Sequence, residues 1–174
     1  MLKFVCVPLL LVVLASHSAF GGILNDIPLE DSDDFEFIEP RITCSLSYAC
    51  YNGRHYYFET NNKRSRDNAA IFCRNINMEL VSIEDPAEND FISNTIKNTG
   101  CYKKTFWTSG MLTDTGSWVW GNGDAVKYTN WMAGKPTSGK NQYCIDYYPT
   151  YVQWNDAVCG NKHYFICESN NKCN

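Results

Sequence analysis

Apolar and polar positions along this chain follow several patterns in succession. Residues 4–15 form an unbroken apolar run preceded by Lys3. An aromatic run at Tyr56-Tyr57-Phe58 predicts a first strand. Next come Ala69, Phe72, Cys73 and Ile76, spaced i, i+3, i+4, i+7, which predicts a one-faced helix with Ser65 as its cap. Asp85-Pro86-Ala87-Glu88 reads as a second helix start, with a capping carboxylate, proline at the first helical position and glutamate at the third. Phe91, Ile92, Thr95 and Ile96 form its buried stripe. Beyond it, helical spacing gives way to Trp107, Trp118, Trp120, Trp131 and Trp154, separated by polar and small residues, with Gly121-Asn122-Gly123-Asp124 as a turn. Tyr164-Phe165-Ile166-Cys167 predicts the last strand. Two early helices followed by short strands and long loops indicate an α+β domain.

The apolar run changes meaning beside its flanks. A basic residue, about twelve apolar residues and a small-residue exit ending between Ser18 and Gly21 match a secretory signal peptide, residues 1–21. The run is too short for the roughly 30 Å hydrocarbon layer, so no membrane span is expected. Residues 22–43 hold Asp26, Glu30, Asp31, Asp33, Asp34, Glu36 and Glu39 against Arg41 alone, and read as an acidic flexible segment. The segment is either a solubilising linker or a pro-segment or contact arm. From Cys44 to Asn174, 13 bases face 12 acids, so the net charge of −4 belongs to this segment rather than to the domain. A pI of 5.3 with no basic run excludes a nucleic-acid binder. The nine cysteines are odd in number. Loss of Cys6 with the signal leaves eight, an even set that reads as disulfides in an oxidising, extracellular compartment.

Six segments then occur in order: Ser65 to Cys73, Glu79-Leu80-Val81-Ser82-Ile83, Phe106-Trp107-Thr108-Ser109-Gly110, Tyr128-Thr129-Asn130-Trp131, Trp154-Asn155-Asp156 and Phe165-Ile166-Cys167-Glu168. Together they resemble a C-type lectin-like domain, spanning residues 44–174, and are similar in particular to secreted invertebrate lectins of the insect type. The resemblance implies a fold of two helices on short antiparallel sheets with a long loop region. It also implies two bridges, Cys73–Cys167 and Cys144–Cys159. Cys44, Cys50, Cys101 and Cys173 remain. Longer members of the family close an N-terminal hairpin with two cysteines, but His55 stands at the second of those positions. Cys44–Cys50 with Cys101–Cys173 is the favoured assignment. Four cysteines allow three pairings, and a bridge to a second chain, giving a linked dimer, stays open.

Sugar-binding members hold a Ca²⁺ ion in the long loop, and the sugar's hydroxyls complete its shell. Calcium takes six to eight oxygens, many of them from carboxylates. Asn155 and Asp156 match two of the family's ligands. The Glu-Pro-Asn triplet of the family reads Lys135-Pro136-Thr137 here, and Gln142 replaces an expected acid. An ammonium has three donors and no acceptor, so Lys135 stands against a cation. The expectation is a degraded site with weak or absent calcium, in which Lys135 pairs with Asp156, and with Pro136 keeping the cis bond the family uses. No other cofactor is expected.

Tyr147, Tyr148 and Tyr151 cluster near Pro149 as candidate ligand contacts, since tyrosine combines a rigid ring with a hydroxyl; half-packed strand-edge residues are the alternative. Trp107, Trp118, Trp120 and Trp131 read as packing residues. His55 and His163 show no zinc-ligand spacing. No nucleophile elbow, phosphate loop or His-Glu-x-x-His helix is present, so the chain does not read as an enzyme. Two functions remain. One is a secreted lectin for microbial or cell-surface glycans in innate immunity or extracellular recognition, with Lys135, Thr137, Gln142, Asn155, Asp156 and the three tyrosines at its site. The other is a lectin-like module that binds a protein partner.

Overall fold

The structure is a computed structural model that describes residues 44–137, 139 and 141–173, all within the unit Pro40–Asn174. The signal peptide and the acidic segment lie outside the described residues. Strand β1 (Tyr48–Tyr51) turns through Asn52 and Gly53, both at positive φ, into the long β2 (Arg54–Arg64). Helix α1 (Arg66–Asn75), the short β3 (Glu79–Leu80) and helix α2 (Pro86–Asn98) follow. The remainder is strand and loop: β4 (Phe106–Leu112), β5 (Trp118–Val119), β6 (Gln142–Tyr148), β7 (Gln153–Val158) and β8 (His163–Lys172). The strands pair in the order β1-β2-β8-β4-β6-β7, with β3 joined to β8 and β5 to β4. Only β4 and β8 run parallel; the other pairs are antiparallel.

Alternation along the strands divides the core in two. One cluster holds Tyr56, Phe58, Ile92, Ile96, Phe106, Ile145, Tyr147 and Trp154, with α2 packed on it. The other holds Ala69, Cys73, Trp107, Phe165 and Cys167, with α1 packed on it. The helix stripes read from spacing explain this: Ala69 and Cys73 on α1, and Ile92 and Ile96 on α2, are buried. The two helix starts differ. Asp85 caps α2 through Glu88 N–H to Oδ1 at 2.9 Å, and Glu88 in turn accepts from Glu84 N–H and the Tyr56 hydroxyl. Ser65 occupies the cap position of α1 with extended backbone but makes no side-chain capping bond. Instead, Arg66 N–H donates to the Cys159 carbonyl.

All eight cysteines of the domain pair within the chain. Cys73–Cys167 and Cys144–Cys159 are those the resemblance implied. The favoured assignment for the other four is corrected: the bridges are Cys44–Cys101 and Cys50–Cys173. Cys50 lies on β1, and the Cys173 amide binds the Gly53 carbonyl just beyond it, so the end of β8 meets the first hairpin rather than the loop after α2. No cysteine among the described residues is left to link a second chain. In the chain-entropy model loops of about 15 and 100 residues contribute roughly 3 and 4.7 kcal/mol, so the three long closures matter as much as the short one.

Candidate functional site

Lys135, Thr137 and Gln142 lie close together in sequence, and the β6–β7 hairpin brings Asp156 to them. Ile145 opposes Asp156 and Gln142 opposes Val158 across the hairpin, which puts Asp156 beneath the loop that carries Lys135. The Lys135–Pro136 peptide is cis. Lys135 Nζ lies 3.2 Å from Asp156 Oδ1, with the carboxylate fully buried and the lysine side chain about a quarter exposed. The other oxygen, Oδ2, accepts from Thr137 N–H at 2.9 Å and from the Thr137 hydroxyl at 2.8 Å. Thr137 Oγ1 also lies 2.6 Å from the Gln142 side-chain amide. A hydroxyl has one proton, so both contacts are satisfied when the amide presents its NH₂ to Thr137.

This donor set does not fit a calcium ion. Both oxygens of the sole carboxylate in it are engaged, one by an ammonium. Among the described residues no group of three or more His, Cys, Asp or Glu side chains is placed to hold a metal.

Asn155 belongs to a different cluster. Its Nδ2 donates to Asp146 Oδ1 at 3.0 Å, across the strand pair from it. The other Asp146 oxygen lies 3.3 Å from His163 Nε2, and the His163 ring packs 4.6 Å from Trp107. Burial raises the Asp146 carboxyl to about 7, and burial together with Lys63 lowers the His163 imidazole. Burial disfavours the charge on both groups, so at pH 7 Asp146 is about half protonated beside a mostly neutral imidazole. Sequence reading missed both residues. The available signal was an acid inside the apolar run Cys144-Ile145-Asp146-Tyr147, where a buried charge needs a partner. Nothing local pointed to His163, because β8 reaches β6 only through β4.

The tyrosines are not gathered at the Lys135 corner. Tyr147 is fully buried in the core on the α2 face, which removes it as a ligand contact. Tyr148 is half-buried, and Tyr151 is 60 % exposed. They lie around the far turn of the hairpin, where Asn89 and Asn130 side-chain amides both donate to the Val152 carbonyl. Asp156 is four residues along β7 from that turn, roughly 13 Å at 3.3 Å per residue. Trp107, Trp120 and Trp154 are buried, and Trp118 and Trp131 are half-buried against each other, as packing residues should be. Trp154 donates its Nε1–H to Asn89 Oδ1 on α2, tying the loop side of the hairpin to the core.

A groove of about 1130 Å³ runs along α1, away from the Lys135 corner. Arg54 at one end bridges Glu84 and Glu168, and the buried Arg66 donates to the Ser109 carbonyl. Glu168 also accepts from Ser82 N–H, while burial raises it to about 7. With three arginines and four acids lining it, the groove's charges nearly cancel and select no ligand charge.

Comparison with known proteins agrees with this architecture. The Lectin C-type domain profile matches residues 62–169. Lithostathine-1 of Mus musculus is 31% identical over 134 residues, covering 74% of this chain and 79% of that protein. The C-type lectin BfL-2 of Bungarus fasciatus is 33% identical over 138 residues, covering 72% and 83%. Among solved structures, human lithostathine superposes with a TM-score of 0.66 at 28% identity, over 74% of this chain and 100% of that one. The carbohydrate-recognition domain of cow CD23, solved in the presence of a GlcNAc2Man3 oligosaccharide, gives 0.63 at 28% identity over 75% and 98%. The chain belongs to the C-type lectin domain family, and it is a binding module rather than an enzyme.

Proposed function

We propose that this chain is a secreted recognition protein that binds microbial or cell-surface glycans with weak or no dependence on calcium, in innate immunity or extracellular recognition. The observation that carries the calcium part is the Lys135–Asp156 ion pair, in which an ammonium takes the charge role that the family gives to the ion. It steadies the loop from inside, with Thr137 closing the other carboxylate oxygen. Glycan recognition is supported by family membership and by the oligosaccharide present with the CD23 domain. The apolar run after Lys3 and four intrachain disulfides support export.

The second reading, a module that binds a protein partner through the same loop face, is favoured by the same lysine. A loop that holds no ion lacks the metal that would take a sugar's paired hydroxyls. A glycan panel probed with the mature protein, in calcium and in chelator, separates the two. Retention insensitive to chelator supports the proposal. Chelator-sensitive retention on mannose or galactose overturns the role given to Lys135, as does micromolar calcium binding abolished by Asp156→Ala. Absence of any glycan binding transfers the protein to the partner-binding class.

A further inference from the structure

The Tyr164 ring, at the start of β8, carries two ammonium groups. Lys104 Nζ lies 4.1 Å from its centroid and Lys63 Nζ 5.1 Å. Those distances keep the two charges closer than one Debye length, about 10 Å at 0.1 M salt, so they repel each other. Lys103, next to Lys104 in the chain, adds a third charge, its Nζ 5.8 Å from the exposed Tyr102 ring. Lys63 and Lys103 are exposed and Lys104 half-buried. None of the three has a carboxylate within ion-pair distance among the described residues. Glu59, on the same strand as Lys63, is buried and accepts from the Asn61 and Asn62 amides and the Tyr57 hydroxyl. Lys104 makes one neutral bond, to the Thr60 carbonyl.

The place is fixed by the fold rather than by loop accident. Tyr164 N–H donates to the Thr105 carbonyl, and the Thr150 hydroxyl to the Tyr102 carbonyl, so β8, the 102–105 loop and the far hairpin turn share one end of the sheet. Tyr151, 60 % exposed, extends from that turn. Lysines interleaved with tyrosines on a chain of net charge −4 make a local basic surface, not a consequence of overall charge.

We propose that Lys63, Lys103 and Lys104, with Tyr102 and Tyr164, form a binding surface for a sulfated or carboxylated polysaccharide. The ammoniums pair with the anionic groups, relieving their mutual repulsion, and the exposed tyrosine offers a ring face to the sugar. This surface is separate from the Lys135 corner and stands whether or not that corner binds glycans.

The test uses the full mature chain and heparin as the probe. Retention at 150 mM NaCl is expected, with affinity falling steeply as salt rises, as for other polyanions. Lys63→Glu with Lys103→Glu, both at exposed positions, is expected to weaken binding at least tenfold. Lys127→Glu with Lys172→Glu, which likewise reverses two exposed charges, serves as the charge-matched control and is expected to weaken binding far less. Four outcomes overturn the proposal: no retention of the wild type, a double variant within twofold of wild type, an equal loss from the Lys127→Glu with Lys172→Glu control, or competition by polyglutamate as effective as by heparin. The last would show that charge alone, with no preference for sugar, is being read.

Discussion

The β6–β7 hairpin buries two aspartates, one on each strand, and treats them oppositely. Asp156 faces Lys135 and two donors from Thr137, and its charge is matched in place. Asp146 faces an asparagine amide and an imidazole, and burial lifts it to about 7. Both carboxyls are at most 1 % exposed, so burial does not separate them. The partner does. A lysine brings a permanent charge into reach, whereas histidine can surrender its proton and become neutral, so the cheaper state of that pair carries no charge.

The strongest way to break the contrast is to remove the permanent charge. Lys135→Met strands the buried Asp156 carboxylate and is expected to cost about 3 kcal/mol, the lower end for breaking a buried pair, since both Thr137 bonds persist. Urea denaturation at pH 7.5 measures it. A loss below about 0.5 kcal/mol would mean that the ion pair contributes nothing.

Replacing the cation's site with oxygen ligands should make calcium matter. Lys135→Glu with Thr137→Asn restores a carboxylate and an amide oxygen at the family's positions. Calcium at ten times the resulting Kd should then stabilise by about 1.4 kcal/mol, while the wild type's melting temperature moves by less than about 1 °C. Equal calcium shifts in both proteins would contradict the role of Lys135.

The Asp146 side of the comparison predicts pH dependence. Asp146 and Glu168 titrate near 7 in the folded chain and near 4 when unfolded. Between those values the folded state holds protons that the unfolded state has lost, so stability falls as pH rises, by at most about 1.4 kcal/mol per unit for each group. His163, lowered from 6.5, acts in the opposite direction: below 6.5 the unfolded chain holds the extra proton, and stability rises with pH there. Two carboxyls outweigh one imidazole, so the melting temperature should fall from pH 5 to pH 7.5. Asp146→Asn should flatten that slope, and an unchanged slope would place the titration elsewhere. The smallest effect is His163→Gln, about 0.5–1 kcal/mol for one contact beside Trp107, seen by thermal denaturation at pH 7.5.

Much of the fold was legible because its signals are local. The α1 and α2 stripes, the Asp85-Pro86 start and the aromatic strands each depend on residues a few positions apart; the structure buries Ala69, Cys73, Ile92 and Ile96, leaves Phe72, Ile76, Phe91 and Thr95 half-buried, and puts Tyr56-Tyr57-Phe58 in the second strand rather than the first. Ser65 shows the limit: a capping residue in sequence, it makes no side-chain capping bond, and the first amide of α1 is instead satisfied from a distant segment, by the Cys159 carbonyl. The cysteine pairing failed for a similar reason. Cys44 and Cys50 are near in sequence, yet β1 turns Cys50 toward the end of β8 and leaves Cys44 for Cys101. Among the candidate ligand residues, Tyr147 was lost to the core and Asn155 to Asp146, since strand alternation sends neighbours to opposite faces.

The sequence by itself determined the two helices from residue type and short-range order, while the family, the two framework bridges and the conflict between Lys135 and a calcium ion came from the resemblance carried by six ordered segments. Only the tertiary structure decided that Lys135 reaches Asp156, that Asp146 meets His163, and that three lysines gather around Tyr102 and Tyr164. The first is made by the β6–β7 hairpin, and the other two join segments that lie next to one another only after β8 has paired with both β2 and β4. The energies of charges depend on separation and burial, and neither quantity exists until the chain is folded.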